Sequence, residues 1–191
     1  MVKWGWEALI RVNPSGHQVH PGENRLRRLA AKIDALTEKD AHYLQRSREI
    51  SALRRCAAEE LHATCSGFVT SVNRMLARTE VLLDPPEHSD NSFRAEGTNL
   101  VQISVRGRIL QVTFEATPEL ISTEDFRVPY TLSGAVRAFN QQLLEKDLIE
   151  EQLLFYTVER DRRMWRFFDA RTYRTGPFDQ EYLISLMEQL I

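Results

Sequence analysis

The longest stretch without a proline constrains this chain most. It runs from Gly22 to Asp84, between Pro21 and Pro85, and Gly67 is the one glycine in its interior. Proline breaks a helix interior and glycine weakens it, so a segment that lacks both can stay helical over an unusual length. The sequence therefore predicts that residues 24–84 form one long amphipathic helix, or two helices in a hairpin.

Apolar residues return along this segment at alternating steps of three and four. The repeating positions hold Leu26, Leu29, Ile33, Leu36, Tyr43 and Ile50, with Asp40 and Ser47 at the intervening ones. This spacing is typical of a coiled-coil seam. From Leu53 through Ala57 and Leu61 the steps are four residues each, a departure from the heptad that also permits packing on a sheet.

A helix cannot bury such a stripe by itself. We therefore expect the stripe to be covered by a second part of the chain or by a second copy, which predicts a homodimer or a higher homo-oligomer. The residues predicted to form the oligomer contact are Leu29, Ile33, Leu36, Ile50, Leu61 and Phe68.

The composition changes after the helical region. Residues 85–98 are rich in Pro, Asp, Ser, Asn and Gly, which is typical of a linker. The predicted organisation is an N-terminal arm over residues 1–23, the helical region over 24–84, the linker over 85–98, and a compact domain over 99–191.

The period of the apolar pattern changes from 3.6 to 2 in this last segment. Val101, Ile103 and Val105 alternate with polar residues before an Arg-Gly-Arg turn, and the alternation continues to Glu115. This predicts a β-hairpin, followed by a third strand from Phe126 and a helix from Ser133 that carries Val136, Phe139, Leu143 and Leu144.

A second hairpin is predicted over residues 153–159 and 164–169, and a last helix is predicted after Asp179. The resulting order is α-β-β-β-α-β-β-α. The expected fold class is α+β, a small antiparallel sheet with helices on one face, preceded by the long coiled-coil-like helix.

This order of elements, over roughly residues 45–191, resembles that of type III secretion chaperones, which are small dimeric export chaperones. The resemblance rests on element order alone, and no residue motif carries over. Because the order of elements does not establish function, the sequence identifies no family.

Bulk properties argue against a nucleic-acid or a membrane partner. The net charge is −2 and the isoelectric point is about 6.2, so no global field marks a nucleic-acid or membrane binder. Two cysteines, Cys56 and Cys65, lie too far apart on a helix for a disulfide. With no signal-peptide pattern and no apolar run of membrane length, we expect a cytoplasmic protein without a membrane partner.

Chemical motifs are weak. Glu59, His62 and Cys65 share one helix face but offer too few ligands for zinc, and His17 and His20 lie in the irregular N-terminus. The sequence contains neither a Gly-x-Ser-x-Gly elbow nor a phosphate-binding Gly-x-x-x-x-Gly-Lys loop. We therefore predict no catalytic residues, no cofactor and no resident metal.

Aromatic and arginine residues are dense near the second hairpin. These residue types dominate protein–protein hot spots, which predicts a docking surface for the dimer mate or for a client protein. It would comprise Trp165, Arg166, Phe167, Arg171 and Tyr173. Two alternatives stay open: the rings fill the seam between the sheet and the last helix, or the arginines from Arg160 to Arg174 bind nucleic acid or phosphate.

The function we expect from the sequence is a non-enzymatic interaction or assembly protein that associates with itself through the long helix. The competing hypothesis is a ligand-binding or enzymatic domain that uses the polar face of the first hairpin. That face holds Gln102, Ser104, Arg106, Gln111, Thr113 and Glu115. A concave site with converging polar groups would favour this second hypothesis.

Overall fold

The computed structural model describes residues 21–89, 92–140, 150–159 and 162–191. The chain divides into two compact units, Met1–Gln45 and Arg46–Ile191. Nearly all of the predicted N-terminal arm, residues 1–23, lies outside the described residues, as do His17 and His20. The predicted boundary at the linker, residues 85–98, stays a prediction.

Helix α1 spans Pro21–Asn73 as a single helix. Its proline stands in the first turn, where the missing N–H has no helical partner to lose. The helix ends at Asn73 and does not reach residue 84 as predicted. The Asn73 side chain forms two hydrogen bonds to the backbone of Val81, from Nδ2 to the carbonyl at 2.9 Å and from the Val81 N–H to Oδ1 at 2.8 Å. These bonds return the chain towards the sheet, where Leu82–Asp84 form a strand.

Seven antiparallel strands form one sheet in chain order, each paired with the next. Their bounds are Leu82–Asp84 (β1), Asn99–Val105 (β2), Arg108–Ile121 (β3), Tyr130–Phe139 (β4), Glu150–Glu159 (β5), Arg162–Asp169 (β6) and Arg174–Pro177 (β7). Both predicted hairpins are confirmed, as β2–β3 and β5–β6. Arg106 and Gly107 both have positive φ, which matches the twist that a two-residue hairpin turn requires.

A final helix, α2, spans Gln180–Leu190. As predicted, Asp179 caps it, because its carboxylate accepts a hydrogen bond from the Tyr182 N–H at 3.0 Å. None of the described helices is long and apolar enough to cross a membrane.

The main core lies between the inner face of the sheet and the helices. In strands β2 to β6, every second side chain points to the inner face of the sheet. The part of α1 after Arg46 and helix α2 together cover this face. The largest fully buried side chains of this core are Tyr156, Phe68, Leu61, Ile103, Leu110, Leu132, Leu154 and Leu183. The predicted fold class, α+β, is therefore confirmed.

The helix predicted from Ser133 is wrong, because that segment is strand β4, paired with β3 on one side and β5 on the other. Val136 and Phe139 lie three residues apart, a spacing that a short apolar run shows in either helix or strand. Leu143 and Leu144 lie outside the described residues. The element order that resembled type III secretion chaperones therefore does not hold over β4.

Gly134 decides the local geometry of β4. A methyl group built on it would lie within 3 Å of the Phe114 Cα and closer still to the Thr113 carbonyl oxygen, so β3 and β4 approach each other too closely for any side chain. Gly67 of α1 has open space around the same position.

These two glycines give a matched pair of substitutions. We expect Gly134→Ala to lower the free energy of unfolding by about 1–3 kcal/mol, because backbone must move to admit the methyl group. Gly67→Ala should raise it by roughly 0.5–1 kcal/mol through helix propensity. Chemical denaturation of both variants measures the two changes, and equal effects would contradict the close approach at Gly134.

Candidate functional site

The first half of α1 carries an exposed apolar stripe, which we define as Leu26, Leu29, Ile33, Leu36 and Tyr43. Each of these side chains is between 53% and 75% exposed. Large apolar residues at one helical spacing are ordinarily buried, so five exposed ones in a row are unusual for a helix face in water. Three of the predicted oligomer residues, Leu29, Ile33 and Leu36, belong to this stripe, and Ile50 is half-buried.

The two remaining predicted oligomer residues lie in the core. Leu61 is fully buried and Phe68 is 2% exposed, both beneath the sheet. Their burial is accounted for within one chain, because this part of α1 packs on the inner face.

Basic residues flank one side of the stripe at seven-residue intervals. Arg25, Lys32, Lys39 and Arg46 each precede a repeating position, and all four are exposed. The positions along the opposite flank carry no charge: Ala30, Thr37, Leu44 and Ser51. The stripe therefore has one cationic edge and one neutral edge.

The predicted docking residue Trp165 lies in the core, with 4% of its surface exposed. Its indole N–H donates a 2.7 Å hydrogen bond to the carbonyl of Ala57 in α1. Its ring meets those of Phe114 and Tyr156 edge to face. Trp165 thus ties the sheet to α1, whereas the predicted alternative placed the rings in a seam between the sheet and the last helix.

The other members of the predicted docking surface differ in exposure. Phe167 is half-buried and its ring stacks on that of Tyr182 at 4.1 Å, whereas Arg166 points to the opposite face of β6 and approaches Glu159 at 3.4 Å. Arg171 is exposed, and Tyr173 is 69% exposed. Tyr173 is the one aromatic ring of the predicted set that stands mainly in solvent.

The nucleic-acid hypothesis rests on arginines that face solvent. Arg162, Arg163 and Arg174 are exposed, while Arg160 lies outside the described residues. The hypothesis stays a prediction.

The outer face of the sheet holds a cavity of about 690 Å³. Two of the polar residues predicted for a ligand site, Thr113 and Glu115, line it, whereas Gln102, Ser104, Arg106 and Gln111 do not. Ser133 and the ion pair of Arg137 with Glu151, 2.6 Å long, add polar groups from β4 and β5. Polar groups from β3, β4 and β5 therefore line this cavity, and the hypothesis of a ligand-binding face stays a prediction.

An aromatic cluster forms the apolar wall of this cavity. Phe126 stacks on Phe155 with ring centroids 4.4 Å apart, and Tyr130 and Phe168 complete the cluster. Burial raises the pKa of Tyr130, because ionisation would place a charge in this apolar environment. The sequence did not predict the cluster, since its members come from three strands and a connecting segment; the alternation of β5 and β6 was the one available signal.

The helical Glu59, His62 and Cys65 do not converge on a metal site. Nε2 of His62 donates to the carbonyl of Pro85 at 2.9 Å. Cys65 is fully buried, and this burial raises the pKa of its thiol to about 12. Within the described ranges, no three His, Cys, Asp or Glu side chains are arranged to hold a metal ion.

Comparison of the chain with protein-family models, with curated proteins and with solved structures found no match.

Trp165 and Tyr173 distinguish a core role from a surface role. Trp165→Ala should lower the free energy of unfolding by about 3–5 kcal/mol, because it leaves a large cavity and removes a buried hydrogen bond. Tyr173→Asn should change it by no more than about 0.5 kcal/mol, since Tyr173 is exposed and Asn tolerates its positive φ. Urea denaturation tests both, and a tolerated Trp165→Ala would contradict the core assignment.

Proposed function

We propose that this chain is an interaction protein that associates with itself through the first half of α1, as a parallel two-stranded coiled coil. The observation that supports the proposal is the exposed stripe from Leu26 to Tyr43. Its alternating three- and four-residue steps continue in the sequence to Ile50, more than three heptads, which is the length at which a heptad pattern becomes a strong signal.

The hydrophobic effect supplies the driving force. In one chain the stripe leaves five large side chains more than half exposed. Removing each such side chain from water is favourable by roughly 1.5–3 kcal/mol, so a seam built from two copies of the stripe can offset the entropy of association.

The flanking charges favour the parallel orientation. In a parallel pair, the edge with Arg25, Lys32 and Lys39 faces the neutral edge of the partner helix. In an antiparallel pair, the two basic edges would face each other along their length, and like charges at these positions are repulsive. Asp40 lies within the seam; a polar residue there costs stability but fixes the register, and Lys39 of the second copy would lie beside it.

Leu36→Asp tests the seam, with Ala35→Asp as its matched control. Both place the same carboxylate on the same exposed helix, but position 35 lies outside the repeating positions. We expect the wild type and Ala35→Asp to sediment as dimers across micromolar concentrations, and Leu36→Asp to sediment as a monomer, because a buried unpaired charge costs several kcal/mol. A wild-type protein that sediments as a monomer would contradict the proposal.

Disulfide cross-linking tests the orientation. Leu29→Cys, in a background where the exposed Cys56 is replaced by serine, should give an interchain disulfide on mild oxidation, because a parallel in-register pair brings the two copies of position 29 together. The same substitution at Ala31, on the far side of the helix, should not cross-link. A Leu29→Cys dimer that stays reduced under these conditions would point to an antiparallel pair.

A further inference from the structure

A second concave site lies in the unit Arg46–Ile191, on the helix-covered side of the sheet. It is an apolar cleft of about 300 Å³ between the end of α1, the β2–β3 turn and the end of α2. Its apolar walls are formed by Phe68, Val72, Leu76, Val81, Val105 and Met187. Such walls offer no hydrogen bonds, so they select a ligand with an apolar body.

Two arginines line the same cleft. Arg108 is held in place, because its Nε donates a 2.9 Å hydrogen bond to the carbonyl of Leu190 at the end of α2. Arg106 is exposed in the β2–β3 turn. Among the residues that the structure describes, neither arginine forms an ion pair.

The local charge favours an anion. The carbonyl ends of α1 and α2 each contribute a partial charge of about −0.5, and the two full positive charges of the guanidinium groups outweigh their sum. The two terminal nitrogens of Arg108 take no part in the hydrogen bond to Leu190. They can therefore donate to both oxygens of a carboxylate in a bidentate arrangement.

The cleft is open at its apolar rim. Leu76 is 38% exposed and Ile191 is 80% exposed. An alkyl chain in the cleft would remove this surface from water, which gives it a hydrophobic driving force.

We propose that this cleft binds a medium-chain fatty acid anion, with the alkyl chain between α1 and α2 and the carboxylate at Arg106 and Arg108. A neutral alkyl ligand would form no ion pair with the two arginines, and the arginines would repel an alkylammonium cation. A polyanion such as a nucleotide has too little apolar surface for these walls. The volume lies at the lower end of the range for small-molecule sites, about 300–1,000 Å³, which favours a medium over a long chain.

Titration calorimetry on the full chain tests the head group and the tail separately. Octanoate, decanoate and dodecanoate, each below its micelle concentration, should bind with a Kd that tightens about fourfold per added methylene while the cleft can still admit it. Decanol and decyltrimethylammonium carry the same tail as decanoate with neutral and cationic head groups, and both should bind at least tenfold more weakly.

Variants locate the site. Arg106→Asn removes the charge while tolerating the positive φ of this position, and should weaken decanoate at least tenfold, whereas Arg106→Lys should largely retain it. Leu76→Glu, which places a negative charge at the rim, should weaken it as well. Arg162→Asn removes an exposed arginine that does not line the cleft and should leave the Kd unchanged. Circular dichroism confirms that each variant is folded.

Three results would overturn the proposal. The first is no heat of binding for any of the three carboxylates. The second is decanol binding as tightly as decanoate, which would show that the arginines recognise nothing. The third is an equal loss of affinity in Arg106→Asn and Arg162→Asn, which would indicate attraction by net charge without a site. None of these depends on whether the chain dimerises.

Discussion

The rest of the structure depends on the burial of the second half of α1 against the inner face of the sheet. An antiparallel sheet with one apolar face needs a cover, and an isolated helix is only marginally stable in water. Ala57 and Leu61 are fully buried at this contact. The small side chain of Ala57 lets the backbone approach closely enough for its carbonyl to accept the indole N–H of Trp165, so one hydrogen bond fixes the position of the helix on β6.

A polar contact holds the opposite part of the sheet to the same helix. Nε of Arg54 donates to the hydroxyl of Thr131 at 2.9 Å, and Nη2 of the same side chain donates to the carbonyl of Thr117. Both acceptors lie beside irregularities in the pairing of β3, β4 and β5. The guanidinium thus satisfies backbone and hydroxyl groups where the strand ladder is interrupted, and desolvation in this environment lowers the pKa of Arg54.

The two halves of α1 differ in what covers them. The apolar period predicted from the sequence runs through both halves, and the sheet covers the second half. The first half keeps Leu29 and Leu36 more than half exposed. The proposed self-association follows from this difference. The second half of α1 is buried in the core of its own chain, and the exposed first half would pair with a second copy.

The sequence by itself determined the elements whose signals are local. The absence of proline after Pro21 determined a long helix, period-2 alternation determined the hairpins β2–β3 and β5–β6, and Asp179 determined the start of α2. Each of these elements follows from backbone sterics or from the burial of one face. Both effects leave a pattern among residues that are close together in the sequence.

Only the tertiary structure decided the rest. The segment from Ser133 to Phe139 is a strand because β3 and β5 bond to both of its edges, and Gly134 permits the close approach of β3. Trp165 is a core residue because Ala57, distant in sequence, presents a carbonyl to it. The outer cavity and the apolar cleft are each assembled from several separate segments. Such sites depend on long-range packing, and the spacing of residues within one segment carries no information about it.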